Sequence, residues 1–280
     1  MININVYLTH SLIQDDLVLK NKNVIVIDAL RATSTISTAL ANGAKEIIPT
    51  ETIATAVRVA KGSTNSLLCG ERNGKIVEGF DLGNSPLEYT EEKVKDKMIA
   101  LSTTNGSLTL SKCKHSKNCI IASFLNLNKI VEFVRTLNED FIIICSGKLS
   151  QFCLEDTVCA GLLIRCLIND SSDITEYILK DSELVALNLA EMYCLEDGKI
   201  SDSKIEEMFR IAEHGKFLIE KGMGDDLAAC SKVDSIPNLP LCKAGIIRLK
   251  EQFEGDTQHK AGMKKLSITT KKDAQEIARQ

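Results

Sequence analysis

Four short stretches of this chain concentrate side chains that can hold an anion or activate water: 28-DALRATS-34, 70-GERNGK-75, 102-STTNGS-107 and 146-SGK-148. The acids Glu155 and Asp156 follow shortly after the last. Each stretch comes directly after a short apolar, β-branched run. In open parallel sheets, ligands gather beyond the carboxyl ends of strands, so these positions are where a site is expected. Acids, hydroxyls, glycines and a few cations together suit a phosphorylated anion held through a divalent metal.

Individual residue types sharpen this. Asp28 offers a metal ligand, and Arg31 a planar fork that matches phosphate with two hydrogen bonds. In the third stretch, Thr103, Thr104 and Asn105 can donate to an anion, and Gly106 lets backbone approach it at the start of a helix. Ordinary readings stand beside each of these. STTNGS also suits a plain capped turn, Asp28 and Arg31 a local ion pair, and Glu155 with Asp156 a helix-dipole complement.

Spacing excludes several chemistries. Ser146-Gly147-Lys148 lacks the upstream glycine of a nucleotide P-loop and continues into Leu149. A thiolate phosphatase needs Arg where Gln151 follows Cys145, and a dehalogenase-type aspartyl mechanism needs a second acid where Leu30 stands. His214-Gly215 lacks the preceding Arg of phosphohistidine enzymes. Cys145, approached by an apolar run, reads as a core thiol. Metal-assisted attack by water remains, or a covalent route outside these motifs.

The elements that must position these groups read as alternating strands and helices, the pattern of an α/β fold with a largely parallel or mixed sheet covered by helices. The apolar runs predict strands at Val24 to Ile27, Glu46 to Ile48, Leu67 to Cys69, Met98 to Leu101, Cys119 to Ala122 and Phe141 to Cys145. Helices are predicted over 34–43, opening on the Ser34 hydroxyl and closing on Gly43, and over 51–62. From about Asp181 the pattern turns helical, as in a second lobe, and 203–222 reads as one long amphipathic helix. The glycine-rich stretch from Gly70 to Thr90 reads as a packed functional loop that brings Glu71, Arg72, Asp81, Asn84 and Ser85 to the site. Residues 1–250 form the expected domain and 251–280 a tail, partly disordered or loosely helical.

Composition bounds the rest. With 280 residues, 44% hydrophobic and 26% charged, the chain can bury a continuous core. A net charge of -4 disfavours nucleic acid as a partner. No apolar run reaches membrane-spanning length, and ten scattered cysteines suggest reduced thiols in the cytoplasm.

The blocks 28-DALRATS-34, 70-GERNGKIVEGFDLGNSP-86, 103-TTNGS-107, 145-CSGKLSQFCLEDTVCAG-161 and 214-HGKFLIEKGMGDDLAACSKVDSIP-237, in this order, resemble the 2-phosphosulfolactate phosphatase family over roughly residues 1 to 248. The resemblance implies a three-layer α/β fold of the family's own type. It also implies Mg²⁺-dependent hydrolysis of 2-phospho-3-sulfolactate, a step toward coenzyme M. Asp28, Glu71, Asp81, Glu155 and Asp156 then form the pool for Mg²⁺ ligation and water activation, of which only one or two need ligate directly. Arg31, Ser34, Arg72, Asn84, Ser85, Thr103, Thr104, Asn105, Gly106, Ser146, Gly147 and Lys148 become the candidates for binding a small anionic phosphorylated substrate. Two departures stand out: Lys148 occupies a position where the family pattern often has Arg, and the tail matches no block. A homodimer is the candidate assembly, the oligomeric state being otherwise open. Rival functions are a non-catalytic anion-binding protein on the same scaffold, or a phosphotransferase or isomerase acting on a sugar phosphate.

Overall fold

The computed structural model describes residues 1–169 and 177–255. The strands among them are β1 (Ile2–Tyr7), β2 (Asn23–Ile27), β3 (Glu46–Pro49), β4 (Ser66–Arg72), β5 (Lys75–Ile76), β6 (Met98–Ser102) and β7 (Asn118–Ala122). They continue as β8 (Phe141–Cys145), β9 (Tyr177–Ile178), β10 (Leu195–Glu196), β11 (Lys199–Ile200), β12 (Pro240–Lys243) and β13 (Ile246–Leu249). The α-helices begin with α1 (Ala32–Ala41), α2 (Ile53–Lys61), α3 (Glu91–Val94), α4 (Gly106–Lys112) and α5 (Leu127–Leu137). After them come α6 (Leu154–Ile168), α7 (Asp181–Cys194), α8 (Asp202–Ile211), α9 (Glu213–Glu220) and α10 (Asp225–Cys230). Among the described residues no helix is long and apolar enough to cross a membrane.

Eleven of the described strands form one sheet in the order β5-β4-β6-β3-β13-β12-β7-β2-β8-β1-β9. It consists of two parallel blocks, β4-β6-β3 and β7-β2-β8-β1-β9, joined through the antiparallel hairpin β12–β13. Alternation along the strands builds two cores. Val24 and Val26 of β2 pack on one face with Ile36 and Leu40 of α1, while Ile25 and Ile27 pack on the other with α5 and α6. The protein is thus a three-layer α/β fold with a mixed sheet. The helices α7 to α10 contribute Cys194, Phe209, Leu218 and Leu227 to the same core as β1, β2 and α6.

The segments that follow β6 and β2 meet beyond the sheet, and that meeting closes the site. Five inter-strand steps separate β6 from β2, about 24 Å in a flat sheet. Yet Gly106, just past β6, lies so close to β2's end that a Cβ there would sit 2.8 Å from Asp28 Oδ2 and 2.6 Å from Ala32 Cβ. Only glycine permits that approach.

Several elements differ from the sequence pattern. The β1 strand and the β12–β13 hairpin are additional: ININVY alternates with asparagine, and the hairpin hides behind Pro240, turning on Ala244 and Gly245 at φ 51° and 78°. Ser34 does not cap α1. The helix starts two residues earlier, Ala32 N–H donates to Asp28 Oδ1 (3.0 Å), and the Ser34 hydroxyl donates to the Ala29 carbonyl (2.8 Å). The stretch 203–222 is two helices broken at Ala212. Leu218 follows Phe209 by nine residues, half a turn out of phase at 3.6 residues per turn, so one straight helix could not bury both. Residues 250–255 are helical and seat Phe253 against the core, so packing runs past residue 250; from Asp256 onward the expected tail lies outside the described residues.

Candidate active site

The carboxyl ends of β2, β4, β6 and β8 surround a cavity of about 170 Å³. Eight of the sequence candidates line it: Asp28, Arg31, Glu71, Asn84, Thr103, Thr104, Asn105 and Lys148. Spacing had not assigned six further lining residues, Leu30, Asn73, Gly74, Leu149, His214 and Phe217. The last two come from α9, and the only sequence signal for them was the HGKF block, whose approach to the cavity depends on the break at Ala212.

Asp28 sits directly beyond β2, buried, with Oδ1 accepting from Ala32 N–H. Its carboxyl is pushed up to about 7, first by burial and then by the neighbouring Asp156 carboxylate. Asp156 accepts from Ala29 N–H (2.8 Å) and Gly147 N–H (2.9 Å), tying the ends of β2 and β8 together. Burial, then the adjacent Glu155, pushes it up to about 7 as well. Glu155 itself is buried; its Oε1 has no hydrogen-bond partner and lies 3.3 Å from His214 Nδ1. Glu71 spends both oxygens on backbone, Oε1 on Thr104 N–H (2.8 Å) and Oε2 on Gly74 N–H (2.9 Å), and so shapes the cavity wall.

The cations are held differently. Arg31 borders the cavity, but its Nη1 donates to Asp226 Oδ2, and the Asp226 carboxylate also accepts from the Ser85 hydroxyl. Lys148 sits in a tight turn closed by two backbone hydrogen bonds with Gln151, and its Nζ meets Glu213 Oε1 at 2.7 Å. Gly147 enters that turn at φ 70°, where a Cβ would strike the Gln151 carbonyl. Asn105 Oδ1 accepts from Leu149 N–H at 3.0 Å and joins the two loops.

Residues 7–245 match the 2-phosphosulpholactate phosphatase family. The chain belongs to that family. It is 36% identical over 237 residues (84% of this chain, 93% of the relative) to a probable 2-phosphosulfolactate phosphatase of Caldanaerobacter subterraneus subsp. tengcongensis. A protein of the same description from Thermotoga maritima is 39% identical over 231 residues (82% and 93%). One from Clostridium novyi is 37% identical over 223 residues (79% and 89%).

Not every candidate of the family blocks reaches the cavity. Asp81 is exposed and accepts from Leu68 N–H of β4 (2.8 Å), because the loop that follows folds back along that strand. Arg72 turns away to the Ser102 carbonyl and hydroxyl (2.9 Å each), supporting the end of β6. Ser34, Ser85, Gly106, Ser146, Gly147, Glu155 and Asp156 stand behind the lining residues. Their hydrogen bonds or close packing set where the lining residues lie.

The donors present suit the Mg²⁺ that the family implies. Asp28, Asp156 and Glu155 are buried carboxylates, Asp156 repelling Asp28 and Glu155 repelling Asp156, which a cation would relieve, and Glu155 Oε1 has no hydrogen-bond partner. Among the described residues no three His, Cys, Asp or Glu side chains converge into a cluster able to hold a metal ion. Mg²⁺ takes one or two carboxylates and completes its octahedron with water and substrate oxygens, so Asp28 on the cavity wall and Glu155 behind it are the candidates to supply them.

Proposed function

We propose that this protein hydrolyses the phosphate ester of a small phosphorylated hydroxy acid, 2-phospho-3-sulfolactate in the family's description, with Mg²⁺ as cofactor, in a reducing compartment such as the cytoplasm. The observation that carries this reading is the cavity itself. Buried carboxylates gather beside it at the carboxyl ends of β2 and β8, facing hydroxyl, amide and ammonium donors from β6 and the Lys148 turn. A protein that only stored the anion would need cations, and the two on this wall are each partnered by an acid. The ten cysteines are free thiols, eight of them buried, which suits reducing conditions.

Bound Mg²⁺ would supply charge neutralisation for the phosphate and a more acidic water. Asp28 and Glu155 are the residues that would hold it. Thr104, whose Oγ1 is buried without a partner, and Asn84, whose Oδ1 is in the same state, offer polar groups to the ester. Without the metal, burial and the Asp156 carboxylate raise Asp28 toward neutrality, and a bound cation would hold it as the carboxylate. Leu30, Leu149 and Phe217 give the cavity apolar walls that keep bulk water from the reacting ester.

A phosphate-release screen across phosphorylated hydroxy acids, run with Mg²⁺ and after rigorous chelation, tests the proposal. Release that needs Mg²⁺ and favours short hydroxy-acid esters is expected. Full activity in chelated enzyme would overturn the metal, and binding without any release would overturn the phosphatase.

A further inference from the structure

Three thiols meet on one face of the sheet, none of them lining the cavity. Cys119 of β7 and Cys242 of β12 are direct partners across an antiparallel pair, so their side chains project to the same side. That side is the core formed with Val24 and Val26, which also takes in Cys113 from the turn after α4. The Cys119 thiol is hydrogen-bonded to those of Cys113 and Cys242, and Cys113 Sγ also donates to the Thr109 carbonyl (3.3 Å).

The strand register already suits a cross-link. Directly opposed residues of an antiparallel ladder keep their Cα atoms about 4.5 or 5.5 Å apart. A disulfide accepts about 4.4–6.8 Å, so closing the bond requires no shift of either strand. Cys113, in its turn, shares no such register with either partner.

Access and acidity decide which thiol reacts first. Eight of the ten cysteines are buried, and only Cys166 and Cys242 are partly exposed. Burial pushes the Cys166 thiol up. The hydrogen bond from Cys119 instead holds the Cys242 thiol below its usual range despite burial, and the thiolate is the form that attacks an oxidant. The hydrogen bonds that Cys119 gives to Cys113 and Cys242 keep it protonated, and its side chain is sealed in the core. Cys242 is therefore the attacking sulfur and Cys119 the resolving one.

We propose that Cys119 and Cys242 are a modification site, forming a reversible disulfide when a hydroperoxide reaches the protein and so stapling β12 to β7. With hydrogen peroxide, the Cys242 thiolate attacks one oxygen; the S–O bond forms, the O–O bond breaks, and the departing hydroxide takes a proton to become water. The Cys119 sulfur then attacks the Cys242 sulfenic sulfur, the S–S bond forms, and the oxygen leaves with the Cys119 proton as a second water. Two thiols are oxidised to one disulfide and one peroxide is reduced to two waters. The hairpin β12–β13 joins the two parallel blocks, so the staple fixes the seam of the sheet. Cys119 lies near the amino end of β7, whereas the cavity lies beyond the carboxyl end of its parallel neighbour β2, so the oxidised protein keeps its site.

The test exposes reduced full-length protein to hydrogen peroxide, then alkylates and digests it without reductant. Mass spectrometry should find the Cys119 and Cys242 peptides joined with loss of two hydrogens, and dithiothreitol should separate them. The thermal midpoint should rise by about 4–8 °C on oxidation, the usual gain from one disulfide in a chain of this size, and return on reduction. Cys166→Ser should behave as wild type. In Cys119→Ala, Cys242 should stop at the sulfenic acid and be captured by dimedone. An absent link, a Cys113 to Cys119 link in its place, or a Cys119 to Cys242 link that leaves the midpoint unchanged would overturn the proposal. These readouts stand apart from phosphate release, so they hold or fail independently of the phosphatase reading.

Discussion

Arg31 borders the cavity and is also half of a buried ion pair, so replacing it should disturb stability and anion binding by separable amounts. Arg31→Ala leaves the Asp226 carboxylate buried, with only the Ser85 hydroxyl as partner. Stranding one member of such a pair costs about 3–5 kcal/mol. At about 2 °C per kcal/mol for a chain of this size, the thermal midpoint should fall by about 6–10 °C. Asp226→Ala should fall by a similar amount, because the guanidinium is then stranded. The double variant Arg31→Met with Asp226→Leu replaces both charges by apolar groups and should recover most of the loss, since apolar replacements of buried pairs are often neutral or stabilising. Phosphate inhibition follows a different order if the guanidinium also reaches the anion. It should weaken in Arg31→Ala and stay weak in the double variant despite restored stability. Differential scanning calorimetry and inhibition by inorganic phosphate measure the two quantities. A double variant no more stable than either single change would refute the ion-pair argument, and wild-type phosphate inhibition in it would make Arg31 purely structural.

Asp28→Asn should abolish most turnover while the protein still folds. Without metal it should also gain stability relative to wild type between pH 5 and 8. The wild-type carboxyl stays protonated in the fold up to about 7 but loses its proton near 4 when unfolded, so its contribution is fully present below pH 4 and is lost as pH rises to 7, at about 1.4 kcal/mol per pH unit. Urea midpoints at the two pH values check this, and a variant relatively less stable at pH 8 would contradict it. Glu155→Gln should raise the metal-free midpoint and weaken Mg²⁺ binding measured by calorimetry; unaltered Mg²⁺ affinity would remove Glu155 from the ligand pair. Cutting the chain after Gly255 should leave midpoint and turnover near wild type, whereas cutting after Lys250 removes Phe253 from the core and should lower the midpoint by about 3 kcal/mol equivalent.

The legible part of this protein was local. Runs such as Phe141–Cys145 and Val24–Ile27 are apolar at every position because both faces of an interior strand are covered, and such runs announce themselves. The polar residues directly after them had to lie at the carboxyl ends, so Asp28, Thr103 to Asn105 and Lys148 could be named as neighbours of one site before any contact was known. Residues whose place depends on two distant elements could not. His214 and Phe217 reach the cavity only because the helix pattern breaks at Ala212, and Asp226 matters only because α10 packs where Arg31 emerges.

Sequence alone therefore determined the α/β alternation, the strand ends that border the cavity and the family to which those blocks belong. Tertiary structure decided which acids face the cavity. Asp81 and Asp28 are both aspartates of the expected acid pool, yet Asp81 is exposed and accepts from Leu68 N–H of β4 while Asp28 is buried beside Asp156. The difference arises because the loop after β5 folds back along β4 and carries Asp81 with it, whereas the start of α4 packs against the residues that follow β2. Contacts between segments so far apart in the chain leave no mark on any short stretch of sequence.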